Sequence, residues 1–92
     1  MKKIIVYCEV NPKERTLEDV SYELITKTQE LARRAQKLQQ GADYMVESVA
    51  LGSWLEAEAI DNAFASGAER FVLIKDNRDI YVPILGKKQL PP

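Results

Sequence analysis

The run Ile4-Ile5-Val6-Tyr7-Cys8 decides how the rest of the chain is read, because it is uninterrupted, apolar and rich in β-branched residues. That composition belongs to a strand covered on both faces, as in a parallel sheet. Parallel strands need long crossovers between them, usually helices. The next residues supply one. Asn11-Pro12 is a turn signal, and Lys13-Glu14-Arg15-Thr16 reads as a polar loop leaving the C-terminal end of the strand. Thr16 with Asp19 imitates a capping box, and Glu18 and Asp19 suit the positive end of a helix dipole. Val20, Leu24, Ile25, Leu31, Ala32, Ala35 and Leu38 then recur at helical spacing, which predicts one apolar stripe over about six turns, packed on the sheet. Glu23 with Lys27 and Glu30 with Arg34 are i,i+4 pairs on a solvated face. Gly41 supplies the left-handed residue that stops the helix.

A second strand is expected from Tyr44 to Leu51, with Val46, Ser48 and Ala50 on one face and Met45, Glu47, Val49 and Leu51 on the other. Gly52-Ser53 ends it. Ser53-Trp54-Leu55-Glu56 forms a capping box for a short helix whose Ala59, Ile60, Ala63 and Phe64 face inward and which Gly67 closes. Phe71-Val72-Leu73-Ile74 is a third apolar strand, followed by the polar turn Lys75-Asp76-Asn77-Arg78. Strand, helix, strand, helix, strand predicts right-handed crossovers and a parallel sheet in the order 3-2-1, with helices on its faces. Ile80-Tyr81-Val82 offers a short extra edge strand within residues 80–85, limited by Pro83. The chain thus divides into one α/β domain over 1–85 and a tail over 86–92 without structural signals. In that order the first strand lies on an edge although its composition is central, so something should cover it. Candidates are the 80–85 segment, a strand from another copy, or part of a longer protein.

Composition narrows the function. Thirteen basic against fourteen acidic residues leave a net charge of −1, so no global field draws the chain to nucleic acid or anionic lipid. No stretch approaches the ~20 apolar residues that cross a bilayer, which makes a soluble, cytoplasmic location the default expectation. There is no histidine, which removes Ser-His-Asp and Cys-His arrangements and the commonest metal ligand. No catalytic constellation remains, and a non-enzyme is expected. The single cysteine, Cys8, lies inside the first strand and reads as inert packing. Trp54 reads as a cover for the core or, failing that, as an aromatic face presented to another domain.

Two positions could bind a ligand. Glu9 stands at the C-terminal end of the first strand, where open α/β sheets receive ligands, and could accept a hydrogen bond from a ribose or a partner. Gly52-Ser53 offers backbone N–H groups and a hydroxyl at the next strand-to-helix junction, where a phosphate could dock. Neither a Walker A pattern nor GxGxxG accompanies them, and capping alone explains Ser53.

Taken together, the strand ending in Glu9, the helix pattern Ser21-x-Glu23-Leu24-Ile25-x-Lys27-x-x-Glu30-Leu31-Ala32, the strand end Ala50-Leu51-Gly52-Ser53 and the Gly67-Ala68 pair before Phe71 resemble the N-terminal domain of the electron transfer flavoprotein alpha subunit. The match spans roughly residues 3 to 76. It implies a three-layer, Rossmann-like sheet of the adenine nucleotide alpha hydrolase type. It also implies a scaffold role in electron transfer, with an electron transfer flavoprotein beta subunit as partner. FAD in that family is held by a C-terminal domain, so the chain by itself would bind none, and the resemblance implies a fragment or reduced relative that keeps the scaffold part. Two other readings stand beside it: an adenine-nucleotide-binding module resembling the universal stress proteins, using Glu9, Gly52 and Ser53, and an interaction protein that forms a homo-oligomer through its first strand.

Overall fold

The computed structural model of the chain describes residues 2–39, 41, 43–52, 54–75 and 78–82. Ser53, the Asp76-Asn77 turn, Pro83 and the expected tail lie outside the described residues. Strand β1 (Lys2–Tyr7) leads into two short strands, β2 (Val10–Asn11) and β3 (Thr16–Leu17). Then come helix α1 (Asp19–Leu38), strand β4 (Tyr44–Leu51), helix α2 (Ala57–Ser66) and strands β5 (Arg70–Lys75) and β6 (Arg78–Val82).

The main sheet runs β1-β4-β5-β6. β1, β4 and β5 are parallel neighbours, and β6 pairs antiparallel with β5 from Phe71↔Val82 to Lys75↔Arg78. This corrects the all-parallel, Rossmann-like sheet expected from the sequence: the sheet is mixed and four-stranded. The cause is the short connection after Lys75, which is too brief for a crossover and so returns the chain as a hairpin. β6 lies at the edge remote from β1, so residues 78–82 do not cover the first strand, and residues 83–85 of that candidate segment lie outside the described residues.

The expected three layers also reduce to two. Both crossovers advance across the sheet in the same direction with the same hand, which puts both helices on one face. The core confirms it. Val6 of β1, Val46 and Ala50 of β4, and Phe71 and Leu73 of β5 form one buried cluster with Ile25 and Ala32 of α1 and Ile60 and Ala63 of α2. Phe71 meets Phe64 edge-on at 6.4 Å between ring centroids. Val49 and Val72 are buried too but point from the other side of the sheet and are not members of that cluster.

Only part of the α1 stripe enters this core. Ile25 and Ala32 are buried, whereas Val20, Leu24, Leu31 and Leu38 are exposed, Leu31 by 61% and Leu38 by 80%. The predicted stripe was too wide to face one sheet. Tyr22, Thr26 and Gln29 turn toward α2: Tyr22 Oη donates to the Ala59 carbonyl at 3.2 Å, Thr26 Oγ1 to Ser66 at 2.9 Å and Gln29 Nε2 to Gly67 at 2.7 Å. Neither predicted capping box forms. α1 starts after Glu18 and α2 after Glu56, and neither residue's side chain caps its helix.

Gly67 ends α2 at φ +126, and a Cβ there would stand 3.0 Å from Gln29 Cβ. Glycine is required both for the conformation and for the close approach of α1.

Candidate functional site

The C-terminal edge of β1 and β4 is where the sequence placed a ligand site, and in the structure the chain itself occupies it. The segment read as a loop over residues 11–16 is a β-hairpin. Asn11 Oδ1 accepts the backbone N–H groups of Lys13 and Glu14 at 3.0 and 3.1 Å, an Asx-type turn, and Arg15 closes it at φ +58. Leu17 then enters the core at 4% exposure. The hairpin is tied across to the second junction by the Glu56 N–H, which donates to the Arg15 carbonyl at 2.8 Å.

Glu9 sits at the base of this hairpin. Its N–H donates to Ser21 Oγ at 2.8 Å, and its carbonyl accepts from Glu18 N–H at 2.8 Å and from the Ser21 hydroxyl at 3.4 Å. Ser21, part of the helix pattern behind the family resemblance, is thus a buried backbone tie. The Glu9 carboxylate stays exposed. Gly52 adopts φ +131, and its N–H donates to the Ile74 carbonyl at 3.0 Å, so that donor is already engaged. Ser53 lies outside the described residues.

Between the hairpin and the two helix starts lies a cleft of about 380 Å³, lined by Thr16, Asp19, Tyr22, Glu56, Glu58 and Asn62 among others. Its three carboxylates make the rim electronegative and repel a phosphate. Beneath this edge Cys8 is half-buried. Burial pushes its thiol above the ordinary value of 9.0, partly offset by hydrogen bonding from Ser48, Val49 and Ser21, so it is a poor nucleophile at neutral pH. Among the described residues, no group of three His, Cys, Asp or Glu side chains could hold a metal ion. Trp54 is half-exposed rather than a cover for the core, and Lys75 Nζ stands 4.7 Å from its ring centroid.

The face of the sheet turned away from the helices carries the larger surface feature. The register sets Tyr7, Val49, Val72 and Tyr81 side by side in one band across all four strands, with Leu51 and Ile74 in the next row. Tyr7 is 71% exposed, Leu51 64% and Tyr81 56%. Toward the other end of the face, Glu47 is buried between two cations: Arg70 Nη1 at 3.5 Å and Lys3 Nζ at 3.9 Å from its Oε2. Arg70 also lies over the Tyr81 ring, 5.3 Å from its centroid. The alternation of Met45, Glu47, Val49 and Leu51 placed those side chains on this face from sequence alone. That both described helices leave this face was missed because helices were expected on both sides. Among the described residues, no helix is long and apolar enough to cross a membrane. Comparison of the chain with protein-family models, curated proteins and solved structures gave no match.

Proposed function

We propose that the chain is a non-catalytic scaffold module of the electron transfer flavoprotein alpha type, which holds a beta-subunit-like partner against the face of its sheet opposite α1 and α2. The flavin is carried elsewhere in that assembly, and a cytoplasmic setting goes with it. The observation that supports a docking role is the group of exposed side chains Tyr7, Leu51 and Tyr81 that the register brings onto this face around the buried Val49 and Val72. Exposed aromatic and aliphatic side chains grouped on one face, bordered by a charged group, mark interaction sites more than catalytic ones. The choice of partner rests on the sequence resemblance.

The test is calorimetric titration of the purified chain with an electron transfer flavoprotein beta subunit, together with an absorbance spectrum of the chain. The expected result is saturable binding that Leu51→Glu weakens at least tenfold, and no flavin bands. Stoichiometric flavin in the purified chain, or no heat of binding, would overturn the proposal.

A further inference from the structure

We propose that a second copy of this chain docks on a different surface, the flank formed by the open edge of β1 and the exposed Val20, Leu24, Leu31 and Leu38 of α1. One two-fold axis pairs both elements antiparallel.

The two parts of this flank lie on the same side of the molecule. At 3.6 residues per turn, the four exposed apolar residues fall within about 40° of one another around α1, and nearly opposite the side carrying Tyr22, Thr26 and Gln29. That side faces α2, which packs toward β5. The stripe therefore faces outward past β1. Among the described residues β1 is paired with β4 only. Lys2 and Cys8 donate their N–H groups toward β4, to Asp43 and Val49, so by alternation the N–H and C=O groups of Lys3, Ile5 and Tyr7 point away from the sheet. An antiparallel ladder centred on Ile5 sets Lys3 opposite Tyr7 of the second copy and keeps the lysines of the two copies apart.

The same axis suits the helices. Ser21 is level with Glu9 and Gln36 with Asp43, so Ile5 is level with the middle of α1. Strands lie about 4.8 Å apart and α1 packs on both β1 and β4, so two α1 helices related by this axis stand about 10 Å apart, a normal packing distance. Val20 and Leu24 of one copy then meet Leu31 and Leu38 of the other.

Charge selects a second copy as the occupant. Beside the stripe the first half of α1 carries Glu23 and the second half Arg34, with Asp19 and Lys37 farther round the helix at its two ends. In the middle, Lys27 and Glu30 neutralise one another at 3.6 Å. A helix acidic at one end and basic at the other is complementary to itself only when antiparallel. The flank measures roughly 600 Å², from a helix about 30 Å long above a strand edge, which approaches the ~800 Å² per partner of a standard interface.

Sedimentation equilibrium of the full chain from micromolar to millimolar concentration tests this. The wild type is expected at twice the chain mass. Leu31→Glu, at an exposed position, should give a monomer with unchanged circular dichroism that melts where the wild type melts once diluted to the monomer. Ile5→Pro removes only an outward N–H and should do the same; if it lowers the melting temperature, the other variants carry the test. Glu23→Arg and Arg34→Glu should each be monomeric alone and form a heterodimer when mixed, because the acidic and basic halves are again matched across the axis. A wild type monomeric throughout overturns the proposal. So does a dimer that survives Leu31→Glu, or that Leu51→Glu dissolves instead, since Leu51 belongs to the sheet face and not to this flank.

Discussion

Truncating Ile25 and Leu31 to alanine, one at a time, separates the two halves of the α1 stripe. Both positions fit the same helical spacing, but Ile25 is fully buried and Leu31 is 61% exposed. Ile25→Ala removes three carbons from the core, worth about 0.8 kcal/mol each in transfer free energy, and leaves a cavity under α1 that brings the loss to roughly 3–4 kcal/mol. Leu31→Ala sacrifices less than half of the same burial and gains a little helix propensity, so its cost stays below about 1 kcal/mol. A domain of this size has on the order of 5–14 kcal/mol of total stability, so the first change is a large fraction of it. Urea unfolding followed by circular dichroism, at a dilution where the chain is monomeric, measures both. With a slope near 1.5 kcal/mol/M, Ile25→Ala should lower the midpoint by roughly 2–2.7 M and Leu31→Ala by less than about 0.7 M. Equal losses, or a larger loss at Leu31, would refute the division of the stripe into a core face and a free flank.

Ser21→Ala deprives the Glu9 N–H of its acceptor at a buried site and should cost about 1–3 kcal/mol, with faster hydrogen exchange of the Glu9 amide in the same sample. Gly67→Ala forces a side chain into a φ of +126 and against Gln29, and should destabilise by about 1–3 kcal/mol in thermal unfolding. Burial raises the Cys8 thiol above its ordinary value of 9.0, so the folded state disfavours the thiolate. The resulting contribution is fully present below that value and is lost as pH rises through the folded value. Stability should therefore fall between neutral pH and pH 10 by more in the wild type than in Cys8→Ala, and a thiol reagent should label native Cys8 more slowly than the unfolded chain.

Order of elements was legible in the sequence because it follows from local periodicity and punctuation. The apolar runs at Ile4–Cys8 and Phe71–Ile74, the alternation from Tyr44 to Leu51 and the glycine at 67 mark strands and a helix end through contacts within a few residues. Glu9 and Gly52 were likewise placed correctly at neighbouring strand ends. What the sequence could not state was which of their donors would be free. The Glu9 N–H is taken by Ser21, twelve residues away, and the Gly52 N–H by Ile74, twenty-two away.

The helix caps failed for a related reason. Thr16 and Ser53 have the chemistry of caps, but tertiary constraints at both junctions start the helices later. Leu17 is drawn into the core and the Glu56 N–H is bonded to Arg15. The sequence alone thus determined the main β-α-β-α-β order in a chain without histidine. The tertiary structure decided that β6 returns antiparallel, that both helices share one face, and that among the described residues no helix packs on the other face and no strand pairs with the outer edge of β1. Those outcomes depend on connection lengths, crossover hand and the width of a helix stripe against a four-stranded sheet, which no local pattern encodes.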